Sequence, residues 1–174
     1  MASWLYIDGL SLYYGSVRGT AYRWLDLEAV ADGLKLDPPI TRIHYFATPD
    51  PDPEGQARQA TYLRALRTLR RVRVHEVQGT HPVAELSQKL LEDEKAGRFR
   101  IAAVLTNDGR LAEPISRVRP QVCIVLPRQR KLADRAVRDA GNFRRKLGVS
   151  ILSTSLLPDE LEDEEGQIVK PEGW

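Results

Sequence analysis

Asp8, in WLYIDGLSLYYG, and Asp108, in IAAVLTNDGRL, each follow a short apolar run and precede a glycine. A run of that length bounded by turn residues reads as one buried strand. In an open α/β sheet the carboxyl ends of parallel strands line the crevice where ligands bind, so two carboxylates at two such ends describe one pocket. Clustered carboxylates are what a hard divalent cation requires, and a cation held there activates water for phosphodiester cleavage. Both residues also have plainer uses. Asp108 stands just before a helical stretch, where Asp is a favoured cap, and Asp8 with Gly9 suits a strand-to-loop turn.

The elements that must carry these residues alternate along the chain. WLYID reads as a strand, LDLEAVADGLKL as a helix stopped by Pro38 and Pro39, and TRIHYFAT as a second strand. PDPDPEG is a surface loop, because proline alternates with acids there. Ala57, Ala60, Leu63, Leu66 and Leu69 recur at helical spacing, VRVHEV alternates as a third strand, and HPVAELSQKLLEDEKAGRF is a helix ended by Gly97. IAAVLTND, a short helix over RLAEPISRV, QVCIVL, a helix over KLADRAVRDAGNFRRKL and a short strand GVSILS complete the pattern. Strand and helix in repeated order predict a three-layer, Rossmann-like α/β domain with a mainly parallel sheet of five or six strands. That domain is expected over residues 1–156, with 157–174 as an acidic tail that either stays solvated or docks its apolar end.

Charge is distributed unevenly. The stretch 159–165, DELEDEE, holds six acids, so against a net +2 for the whole chain the remainder carries +8. Arginines gather in RALRTLRRVRV, PRQRKLADR and NFRRK, which suits either a polyanion such as RNA or a solvated helix surface. Met1 to Asp8 has no basic segment ahead of a long apolar run, and no stretch of about 18 apolar residues occurs, so a cytoplasmic chain without a membrane span is expected. The single Cys123 sits in an apolar run and reads as a core residue. His44, His75 and His81 lack metal-ligand spacing from any cysteine and read as structural. No serine has the context of a hydrolase nucleophile elbow, and GLSLYYG is not a phosphate-binding glycine loop. Tyr13 and Tyr14 could stack on bases beside the pocket or simply pack.

Several blocks in order, YIDGLSLYYG, YRWLDLEAVA, RIHYFAT, TNDGRLAEPI and LPDELEDEEGQIVKPEGW, resemble the NYN domain family of PIN-like nucleases, bacterial branch. The resemblance implies a PIN-like fold, a ribonuclease with Mg²⁺ or Mn²⁺ held by strand-end acids, and RNA as partner. It assigns Asp8 and Asp108 as catalytic and metal-binding, and Ser11, Asn107, Arg110, Lys89 and Tyr13 are the candidate substrate-binding residues beside them. The chain departs from the family pattern at several positions: Ser11 replaces an asparagine, and Arg110 replaces a second aspartate after Asp108. Before the central helix, Val83 and Lys89 fall where the family has aspartates, and Glu85 could serve if the register slips.

Four aspartates would place about −4 in such a pocket, whereas Asp8, Val83, Asp108 and Arg110 sum to −1. Mg²⁺ sheds its waters reluctantly and gains little there. The expectation is a nuclease frame with weak or lost cleavage that keeps RNA binding. The alternative is a protein-interaction or assembly module, and a homo-oligomer is compatible with either.

Overall fold

The computed structural model describes residues 1–128 and 135–174. Six parallel strands form the sheet: β1 (Ser3–Asp8), β2 (Ile40–Ala47), β3 (Val72–Glu76), β4 (Ile101–Leu105), β5 (Gln121–Leu126) and β6 (Phe143–Lys146). Their order is β3-β2-β1-β4-β5-β6, so the winding reverses between β1 and β4. In a doubly wound sheet that reversal opens a crevice at the carboxyl ends, here just beyond Asp8 and Leu105. Among the described residues seven α-helices accompany the strands: α1 (Gly9–Leu12), α2 (Leu27–Gly33), α3 (Pro53–Arg67), α4 (Val83–Lys95), α5 (Ala112–Ser116), α6 (Arg135–Ala140) and α7 (Val149–Ser153). The expected three-layer Rossmann-like α/β architecture is what the chain adopts.

Alternation along β1 explains the two cores. Leu5 and Ile7 join Trp24, Leu27, Ile43, Leu66 and Val125 on one face, while Tyr6 joins Phe46, Leu86, Leu90, Val104 and Ile124 on the other. Parallel strands covered on both faces are buried along their whole length, which is why β4 reads IAAVL without a polar residue. Aspartates set the helix starts: Asp26 accepts from the amides of Glu28 and Ala29, and Asp52 accepts from Gly55 ahead of Pro53.

Three segments differ from the sequence expectation. Residues 143–146, expected within a helix, form edge strand β6, because the chain breaks at Gly141 and Asn142 and exchanges hydrogen bonds with Val122 at 2.7 and 2.8 Å. A Cβ at position 141 would lie 2.6 Å from an Ile124 methylene carbon, so only glycine lets the chain turn this close to β5. The expected strand GVSILS is instead α7, which packs Ile151 against Gly33 of α2.

The acidic stretch is a folded hairpin, β7 (Glu160–Asp163) with β8 (Gly166–Val169). Its approach is anchored by the Leu157 amide on the Trp24 carbonyl and by Trp24 Nε1 donating to the Pro158 carbonyl at 2.8 Å. Ile168 is buried in the core, and Arg64 grips Asp163 with two hydrogen bonds of 2.9 and 2.6 Å. Acids that look like a solvated tail in sequence thus neutralise one end of the arginine-rich run. Arg67 pairs with Glu76, and Arg71 pairs with Glu28 and Asp32. Among the described residues no helix is long and apolar enough to cross a membrane.

Candidate functional site

The crevice at the β1/β4 reversal brings together Asp8, Ser11, Thr106, Asn107, Asp108 and Arg110. Asp8 is buried at the end of β1 and acts as the cap of α1. One carboxylate oxygen accepts from the amides of Leu10 and Ser11 at 3.1 and 3.2 Å, and the other accepts from the hydroxyls of Ser11 at 2.7 Å and Thr106 at 2.9 Å. Four donors from the chain occupy both oxygens. A glycine must follow, since a Cβ at position 9 would stand 2.5 Å from the Phe46 carbonyl oxygen.

Thr106 joins the two acids. Its hydroxyl donates to Asp8 and accepts from the Asp108 amide at 3.0 Å, while the Ser11 hydroxyl accepts from the Asn107 amide at 2.9 Å. Asp108 in turn caps a short 3-10 turn (Gly109–Leu111) through the Arg110 amide. The Arg110 side chain returns over that carboxylate with Nε at 2.9 Å and a terminal nitrogen at 2.6 Å. Those charge-assisted bonds hold the Asp108 carboxyl below the usual carboxylate range and raise Arg110. Arg110 is exposed and closes an ion pair on Asp108.

This donor set does not fit a divalent cation. Asp8 has spent its lone pairs on four donors and Asp108 faces a guanidinium. Among the described residues no group of three or more His, Cys, Asp or Glu could hold a metal ion. Two residues expected near the crevice lie elsewhere. Glu85 accepts from the Gln78 amide. Lys89 Nζ sits 3.0 Å from Asp93 one turn along α4, because the i,i+4 spacing puts its partner on the same helix face. Tyr13 opens a single π-helical turn (Tyr13–Val17) that follows α1, packs edge-on against Tyr14 and lines a separate cavity with Tyr45, Tyr62 and Trp174.

Lys89 belongs to a second polar cluster, between the sheet and α4. Asp93 accepts from Tyr6 at 2.8 Å and from Lys89, and His44 Nδ1 shares a 2.8 Å hydrogen bond with His75 Nε2. His44 Nε2 lies 3.7 Å from Asp93, beyond hydrogen-bond reach of a carboxylate already committed to Tyr6 and Lys89. Burial pushes His44 down to about 3, helped by His75, Lys89, Arg42 and Arg73, and burial also lowers His75. Neutral histidines follow. The unfolded chain takes up protons that the folded chain refuses, so stability is full above the ordinary histidine pKa and falls with acid below it. For His44 alone the slope is about 1.4 kcal/mol per pH unit, or ~2 kcal/mol between pH 6.5 and 5. Thermal midpoints measured across that interval should fall in the wild type and fall less in His44→Gln.

Thr106 and Asp93 escaped the sequence reading. Thr106 is signalled only by its place at the very end of an apolar strand, and Asp93 only by a helical period that turns it toward the sheet.

No family model matches the chain. A curated relative, the 6-hydroxy-3-succinoylpyridine 3-monooxygenase HspA of Pseudomonas putida (strain DSM 28022 / S16), is 29% identical in an alignment of 111 residues that covers 52% of this chain. The matched stretch spans 36% of that enzyme's own length. The crystal structure of VPA0982, a protein of unknown function from Vibrio parahaemolyticus RIMD 2210633, superposes with a TM-score of 0.63. It covers 85% of this chain and 93% of its own at 14% identity, a likeness of fold alone.

Proposed function

We propose that this chain is a PIN-like domain that holds RNA, or a similar polyanion, against the carboxyl edge of its sheet and does not perform metal-dependent cleavage. One observation carries the reading: Asp108 is neutralised by Arg110 while Asp8 is saturated by Ser11, Thr106 and two amides. A pocket so arranged offers a cation no free carboxylate oxygen. Two exposed arginines, Arg18 and Arg128, lie in the segments that follow β1 and β5 and supply positive charge, while Arg110 is spent on Asp108. Phosphate contacts of this kind position a nucleic acid without reading its sequence. Arg130 and Lys131, part of the basic PRQRKLADR run, lie outside the described residues.

Incubation of the protein with fluorescent single-stranded RNA and Mn²⁺ is expected to yield no cleavage above blank. Binding should weaken steeply with salt, and Arg18→Ala with Arg128→Ala should lower the salt slope by about 1–2. Cleavage arising only in the combined Val83→Asp, Arg110→Asp variant would support loss of an ancestral activity. Strong wild-type cleavage that Asp8→Asn abolishes would overturn the proposal.

A second reading, a protein-contact or self-assembly module on the same fold, is favoured by the internal pairing of Arg64, Arg67 and Arg71 and by the exposed apolar Leu156 and Val169 around the hairpin. Sedimentation without RNA separates the two, since only this reading requires a stable oligomer.

A further inference from the structure

We propose that the cavity between the loop after β1, α3 and the C-terminal hairpin binds a small anion carrying one planar ring, a nucleoside monophosphate, with its phosphate on Arg23. This site uses neither Asp8, Asp108 nor Arg110, so it stands independently of the function proposed above. The cavity holds about 290 Å³, and its walls include Tyr13, Tyr45, Tyr62 and Trp174. That volume lies near the lower end of the ~300–1,000 Å³ typical of small-molecule sites, room for one ring, a linker and one anionic group.

Arg23 decides the chemistry. Its guanidinium carbon sits 5.2 Å from the Tyr13 ring centre and 4.4 Å from that of Trp174. The cation therefore lies over two ring faces, and among the described residues its side chain makes no hydrogen bond or ion pair. Arg64, Arg71 and Arg110 all spend their forks on carboxylates of this chain. A guanidinium held over aromatic faces, with its N–H donors uncommitted, matches a phosphate or carboxylate in a fork geometry.

The remaining walls are set in advance. Tyr62 donates to the Leu25 carbonyl at 2.9 Å, which fixes its ring against Trp24 and Trp174. Gln59 bridges the Thr48 carbonyl and the Asp50 amide and holds the rim loop. Tyr45 adds its ring to the wall, and burial raises its phenol further above the ordinary value. Asp50, also on the wall, disfavours a second anion and suits a sugar hydroxyl or a base N–H. Trp174 reaches the cavity only because the hairpin docks.

The test is calorimetric titration with uridine 5′-monophosphate, uridine and inorganic phosphate. The monophosphate should bind at least about tenfold tighter than either fragment, and Arg23→Gln should remove about tenfold of that affinity, with Arg23→Lys intermediate and Arg110→Ala without effect. Equal binding of nucleotide and nucleoside, no nucleotide binding at millimolar concentration, or an Arg23→Gln variant that binds like wild type would each overturn the proposal. If Arg23→Gln does not fold, the wild type still decides. The nucleotide should shift the indole NMR signal of Trp174 and not that of Trp4, and the reverse pattern or no shift counts against the site. Displacement of a 5′-phosphorylated oligouridylate by the monophosphate assigns an RNA end as the source, and its absence assigns a free nucleotide.

Discussion

Asp93→Ala is expected to destabilise the domain by about 3 kcal/mol, read as a lowered urea midpoint with an unchanged slope. Asp93 ties α4 to the centre of the sheet through the Tyr6 hydroxyl on β1, and it also accepts from the Lys89 ammonium on its own helix. Tyr6 is fully buried, and its phenol is raised well above the ordinary value by burial first and by the Asp93 charge second. Without Asp93 that phenol must give up its hydrogen bond inside the core, a loss of ~1–3 kcal/mol. Lys89, with its side chain 33% exposed, can turn toward water. Its release keeps the total near the lower end of the ~3–5 kcal/mol seen when a buried pair loses one member. Asp93→Asn retains an acceptor for Tyr6 and should recover more than half of the loss. A near-neutral Asp93→Ala would mean that water reaches the phenol and that the cluster does not hold α4.

Asp8→Ala is expected to cost a similar ~3 kcal/mol, equivalent to a melting decrease of about 6–12 °C for a chain of this size. The substitution removes the cap of α1, worth ~1 kcal/mol, and leaves the buried hydroxyls of Ser11 and Thr106 without their acceptor, at ~1 kcal/mol or more each. Both hydroxyls also accept from the 107–108 backbone, so the loop carrying Asp108 should loosen with the loss. Asp8→Asn should fall between wild type and alanine, because one oxygen survives for the amides while the new NH₂ opposes two hydroxyl donors. An aspartate retained chiefly to bind a metal behaves otherwise: strong negative potential without a cation is unfavourable, so its removal leaves stability unchanged or raised. Urea midpoints for the two variants therefore distinguish a structural from a metal-binding Asp8 without any activity assay. A stabilising Asp8→Ala would refute the structural role.

The two aspartates were legible because each sits at a chemically marked spot, an apolar run ending in an acid and a glycine. Their neighbourhood was less so. Arg110 beside Asp108 admits two orientations, and only the 3-10 turn, which folds the guanidinium back over the carboxylate two residues earlier, selects the ion pair. Lys89 stands near the crevice by alignment yet faces Asp93, because a helix places side chains by its 3.6-residue period and not by family register. The arginine-rich run 64–73 looked available to phosphates until distant acids, Asp163 above all, were brought against it. Residues 143–146 show the same limit for secondary structure: their charged pattern suits a helix, and β5 offers an open edge that makes them a strand.

Local chemistry by itself determined the alternation of strands and helices, the parallel sheet and the carboxyl-edge position of Asp8 and Asp108, since hydrophobic period and turn residues act over a few positions of chain. Tertiary structure decided what those carboxylates face, which arginines keep their charge unpaired, and that residues 160–169 fold as a hairpin that brings Trp174 beside Arg23. Hydrogen bonds and ion pairs act within about 3 Å whatever the separation in sequence. Partners such as Arg64 and Asp163, or Trp24 and Pro158, are therefore chosen only when the chain has closed on itself.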